Sequence, residues 1–136
     1  MTRELQLVRA VALEADGFYE TSGEFGAKAF GCFPGKQKSQ MKNLECIANS
    51  ALKVADVLDY VKKQIGKDKP DNPWREDRFG ECLLTHLETD IRKRVGTLTV
   101  NPPVTDRAES QRVQLQLIRE FVRQMVAQYE FLGGTN

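Results

Sequence analysis

Histidine occurs once in this chain, at position 86, and that scarcity excludes much metal chemistry. A di-iron centre between helices wants Glu-x-x-His from two of them, but the residue three before His86 is Leu83. The three cysteines, Cys32, Cys46 and Cys82, are odd in number and widely spaced, which argues against a disulfide framework. They lack the paired spacing of a structural zinc site. A Cys3His set is formally available, yet no two of its ligands stand closer than four residues. No metal or cofactor is expected. Net charge is also scarce, 20 Lys+Arg against 19 Asp+Glu, so there is no global pull toward nucleic acid or membrane. No apolar run approaches the ~20 residues that span a bilayer. MTRELQLVRA carries no signal-peptide core. A cytoplasmic protein of one domain, residues 1–136, is expected.

Strand patterns are missing as well, and what is present is helical. From Thr2 to Glu20, Leu5, Val8, Ala12, Ala15 and Tyr19 share one face. Glycines at 23, 26, 31 and 35, with Pro34, then predict a basic, Gly-rich loop over 21–38, with room for one short turn near Ala27–Phe30. Ser39 to Ile65 contains neither proline nor glycine, and Leu44, Ile47, Ala51, Val54, Leu58, Val61 and Ile65 repeat at heptad spacing. One long central helix of roughly 40 Å is expected there. KDKPDNPW connects to a third helix near 75–95, with Phe79, Leu83, Leu87 and Ile91 every four residues. Trp74, just ahead of it, suits a hydrophobic staple against Phe79 or Arg78, or an anchor for a partner. After TLTVNPPVT, an extended loop, Asp106 and Glu109 form a capping-box-like start to a last helix, apolar on two sides. Gly133–Gly134 ends it, with a frayed tail over 133–136. The class is all-α, a bundle of about four main helices. A coiled-coil dimer through the second helix is the competing architecture, weakened by a seam that holds only alanine at 51.

Catalytic groups are thin. Gly31-Cys-Phe-Pro-Gly35-Lys36-Gln37 approaches a phosphate-binding loop, but it is one residue short, has Gln37 where Ser or Thr belongs, and follows no strand. Glu45, Asp56, Asp59, Glu88 and Asp90 could pair for acid–base work, though Asp56 and Asp59 read as a polar helix face. Cys46 and Cys82 read as buried, and Cys32 as the reactive thiol. Basic residues are more suggestive. Lys28, Lys36, Lys38 and Lys42 lie in a stretch without acid, interleaved with Phe25, Phe30 and Phe33. Such a patch can follow phosphates and stack bases, although the rings can equally plug a core. Lys62 and Lys63, and Arg92 and Arg94, form secondary clusters that helix dipoles also favour. Glu14, Asp16, Glu20 and Glu24 supply an acidic counterpart that could support head-to-tail stacking of copies.

KSQMKNLECIANSALKVADVLDYVKKQIGK, the tryptophan connector after it and LIREFVRQMVAQYEF together resemble the small subunits of type III CRISPR effector complexes. The resemblance implies a helical subunit stacked in copies along an antiviral ribonucleoprotein, its basic face on crRNA and target RNA. It implies binding without cleavage. The expected function is a non-enzymatic RNA-binding scaffold with RNA and other protein subunits as partners. A helical protein–protein adaptor is the alternative, and an enzyme with an unrecognised site is a third reading.

Overall fold

A computed structural model describes residues 1–134, with the side chain of Lys36 outside the described set. No strand occurs among the described residues. Six helices succeed one another: α1 (Arg3–Gly17), α2 (Tyr19–Cys32), α3 (Ser39–Ser50), α4 (Val54–Gly66), α5 (79–95) and α6 (Arg107–Tyr129). Within α5 a π-helical turn, His86–Asp90, joins Phe79–Thr85 to Ile91–Val95. The all-helical class is as expected, but six helices replace the expected four. Of the frayed tail, Gly133 and Gly134 close a π-helical turn, Glu130–Gly134, and 135–136 lie outside the described residues.

The central element is α6, not the segment over 39–65. Leu117, Ile118, Phe121, Val122, Met125 and Val126 are fully buried because α1 to α5 all pack on it. Its two apolar stripes need two sets of neighbours, and the other five helices supply them. Asp106 caps its start, accepting from Glu109 N–H at 2.9 Å. Arg3 of α1 pairs with Glu109 at 2.8 Å and ties the first helix to that end.

The heptad repeat over 39–65 runs across a break. Ala51 and Lys53 are extended, and Leu52 is exposed. The Asp56 carboxylate accepts from the N–H groups of Leu52 and Lys53, which starts α4 anew. Arg119 of α6 donates to Ala48 O at 2.9 Å and Ala51 O at 2.7 Å, satisfying carbonyls that end α3. An unbroken helix would carry half its stripe past α6; the break folds both halves back onto the core. At the far end of α4, buried Asn72 donates to Gln64 O and accepts from Trp74 N–H. Trp74 packs on Phe79 at 6.0 Å and Phe33 at 5.1 Å, as a staple, and is buried rather than offered to a partner.

The loop expected over 21–38 is corrected most. Residues 19–32 are helical, and their glycines do not break the helix. A methyl at Gly26 would lie 2.6 Å from Met125 O and 2.7 Å from Gln128 Cβ. Gly26, with buried Ser22 and Ala29, therefore lets α2 lie against the backbone of α6. This close approach reverses the usual cost of glycine in a helix. Phe33 plugs the core, Phe25 packs against it, and Phe30 stays partly exposed. On α1 the buried face is Leu7, Ala10, Val11 and Ala15; the expected face leaves Leu5, Val8 and Tyr19 exposed.

Gly26→Ala should lower stability by about 1–3 kcal/mol through overpacking against the α6 backbone. Gly23→Ala, with open space around it, should be neutral or stabilising by up to about 1 kcal/mol. Urea unfolding of both variants checks the pair; equal effects would refute the packing role of Gly26.

Candidate nucleic-acid interface

Three of the four lysines of the expected basic patch have described side chains, on two helices. Lys28 is half-buried on α2, its Nζ 3.7 Å from Cys82 Sγ of α5. Lys38 and Lys42 stand at the start of α3, over an apolar pocket of about 270 Å³ floored by Met41, Val126 and Tyr129. Lys42 pairs with Glu130 at 2.8 Å and Glu45 at 3.6 Å, and Glu130 holds its ammonium above its usual range. The Lys36 side chain lies outside the described residues. Pairing with Glu130, from the far end of the chain, and with nearby Glu45 makes Lys42 a weaker phosphate grip than the acid-free stretch suggests.

The secondary clusters divide in the same way. Arg94 pairs with Glu14 at 2.8 Å and lies over the Phe18 ring at 5.3 Å, so it fastens α5 to α1. Arg92, Lys62 and Lys63 are exposed and have no ion-pair partner among the described residues. Arg92 borders a groove of about 640 Å³ between α4, α5 and the start of α6.

Three local structures build this groove. The Asp56 cap sets the first turns of α4, whose Val54, Ala55 and Leu58 form an aliphatic floor. The π-helical turn of α5 carries Glu88, and Arg92 follows in the next turn. A π turn inserts a residue and so re-aims the side chains that follow. The capped start of α6 brings Arg107, Ser110 and Gln111, with Thr105 just before it. Behind them Gln114 is buried and donates to Leu87 O at 3.2 Å. Arg107 also lacks an ion-pair partner among the described residues. Lys62, four residues beyond Leu58, continues the groove face of α4 by one turn, and Lys63 stands on the next flank. The arrangement offers two free guanidinium groups, hydroxyls and amides over an apolar floor, suited to holding a phosphate-bearing ligand without reacting with it.

Arg107, Thr105, Ser110 and Gln111 escaped the sequence reading because they look like an ordinary helix start. One signal was available: the first two turns of α6 contain no large apolar residue before Val113. That polar start is the wall the core does not need.

A second cleft holds the lone histidine. His86 is buried, with ring centroids 4.5 Å from Phe121 and 5.0 Å from Phe25. Its Nδ1 lies 3.0 Å from Asp90 Oδ2, while Nε2 is buried without a partner. Burial lowers its pKa, Arg94 adds to the lowering, and the Asp90 hydrogen bond opposes both. The cysteines are reversed from expectation. Cys32 is buried on the inner face of α2, and burial pushes its thiol up, whereas Cys46 and Cys82 are exposed. Among the described residues no group of three or more His, Cys, Asp or Glu is placed to hold a metal ion. No described helix is long and apolar enough to cross a membrane. No family model, curated protein or solved structure matches the chain.

The depressed pKa of His86 sets a sign for pH dependence. The folded state prefers neutral imidazole, so its contribution is present above the ordinary value of 6.5 and is lost as pH falls through the folded value. The thermal midpoint should drop from pH 7.5 toward pH 5, and His86→Gln should flatten that limb. An unchanged slope in the variant would remove His86 as the cause.

Proposed function

We propose that this chain is a non-catalytic RNA-binding subunit of a ribonucleoprotein, of the kind that scaffolds type III CRISPR effector complexes. The observation that carries this reading is the groove between α4, α5 and α6, where Arg92 and Arg107 face solvent with no acidic partner among the described residues. Exposed guanidinium groups bind phosphate bidentately, and Thr105, Ser110 and Gln111 add hydroxyl and amide donors, with the Glu88 carboxylate in the same groove. Lys62, Lys63 and Lys93 extend the basic surface on the same two helices. Two to five phosphate contacts give weak, salt-sensitive binding from one copy. Side-by-side copies on one RNA would add such contacts, which suits a scaffold.

Anisotropy with a labelled single strand and a guide–target duplex, from low to physiological salt, tests the reading. Arg92→Ala with Arg107→Ala should weaken binding and reduce the slope of log K against log salt by about 1.4 on a single strand, two phosphates' worth. Lys42→Ala and Arg94→Ala should leave the slope unchanged. Absence of salt-sensitive binding, or an equal loss in both pairs of variants, would refute the assignment.

The adaptor reading has its own support in α1. Leu5, Val8 and Leu13 are 43%, 56% and 67% exposed. Ala12 is exposed beside Leu5 and Val8, so the three continue one apolar strip along the helix. This strip suits docking against another subunit. Leu5→Glu with Val8→Glu should abolish self-association or subunit assembly, read by light scattering with and without RNA, and leave RNA affinity intact. Loss of RNA affinity in this variant would tie the strip to RNA instead.

A further inference from the structure

The groove is more than a backbone grip. A site for phosphates alone needs cations and donors, but this one also has a floor of Val54, Ala55 and Leu58 from one face of α4. Its volume, about 640 Å³, exceeds that of a drug-sized pocket's lower range of about 300 Å³ and leaves room for a base and its sugar. Cations and acceptors are both present in it: Arg92 and Arg107 are cationic, Glu88 and Gln114 offer oxygens. Gln114 is 7% exposed, and its Nε2 donates to Leu87 O. That bond fixes the amide, so the carbonyl oxygen is the free end. It accepts no hydrogen bond from the described residues, and Gln114 is among the residues that line the groove. Glu88 is exposed on the same wall, and its carboxylate can only accept.

Two acceptors beside an apolar floor ask for a donor on a flat, largely apolar group. An exocyclic amine on a nucleobase is such a donor. Adenine, cytosine and guanine each carry one; uracil does not. Paired bases in a duplex keep their amines occupied and their faces stacked, so the base must be unpaired to use this floor.

We propose that the groove holds one unpaired nucleotide whose base bears an exocyclic amine, with the base on Val54, Ala55 and Leu58, the amine on Glu88 and Gln114, and phosphates on Arg92 and Arg107. The proposal rests on the RNA-binding reading and deepens it, making the subunit a reader of single-stranded, amine-bearing RNA. The same chemistry is present in a free nucleotide.

The test is anisotropy at low salt with oligoadenylate, oligocytidylate and oligouridylate of equal length, an abasic strand, an adenine–uracil duplex, and AMP as competitor. Oligoadenylate and oligocytidylate should bind several-fold, up to about tenfold, tighter than oligouridylate. The abasic strand and the duplex should fall to the uridylate level or below. Glu88→Gln, at an exposed position, should shrink the preference for amine-bearing strands without reducing the salt slope. Gln114→Leu should do the same, with circular dichroism confirming its fold. Displacement of oligoadenylate by AMP identifies free nucleotides as ligands of the site; failure of AMP beside a retained preference identifies the strand. Equal, salt-sensitive binding of all strands overturns the nucleotide site and leaves the RNA-binding reading standing. Silence of every strand at low salt overturns both.

Discussion

The close approach of α2 to α6 is the contact on which the rest of the structure depends. Gly26 has no side chain, and a methyl there would meet Met125 O at 2.6 Å. Because α2 lies this close, Phe18 and Phe25 reach Phe121 from one side, and Tyr129 donates its hydroxyl to Phe33 O at 2.7 Å. α6 is thereby closed off along one flank. The other flank is covered by α3, whose end Arg119 of α6 caps directly. A helix with two apolar stripes can be stable in water only when both are covered, and these two contacts, with α1, α4 and α5 beside them, cover both.

The same packing sorts the charges. Arg3, Lys42 and Arg94 are drawn into pairs with Glu109, Glu130 and Glu14, each from a distant part of the chain. These cations hold helices in place. Arg92 and Arg107 line the groove beside the first turns of α6, and neither forms an ion pair among the described residues. α6 begins to be buried at Val113. The polar turns before that point form a wall of the groove, and the interrupted helix α3–α4 supplies its floor.

Local patterns were legible where one helix face meets one partner. Phe79, Leu83, Leu87 and Ile91 are fully buried as their spacing requires, and Asp106 caps α6. The Trp74 staple was legible for the same reason, since Trp74 and Phe79 are neighbours in sequence. Patterns that depend on a distant element were not. Glycines at 23, 26 and 31 resemble breakers until α6 is placed beside Gly26. The heptads from Leu44 to Ile65 resemble one helix until Arg119 arrives to end the first half. On α1 the sequence offers two apolar stripes of similar strength, and only packing decides that Leu7 and Val11 go inward while Leu5 and Val8 remain outside. Of the candidate groove, Arg92 was legible as a basic cluster and Arg107 was not, because it meets α4 and α5 only across space.

By itself the sequence determined that this chain is helical and where four of the six described helices have their apolar residues. Those properties follow from periodicity, caps and composition, which act over a few residues. Only the tertiary structure decided which glycine is a contact, where the long apolar repeat breaks, which thiols are buried and which cations stay unpaired. Each of these is a competition between partners far apart in the chain, and its outcome is set by which groups the core brings within a few ångströms of one another.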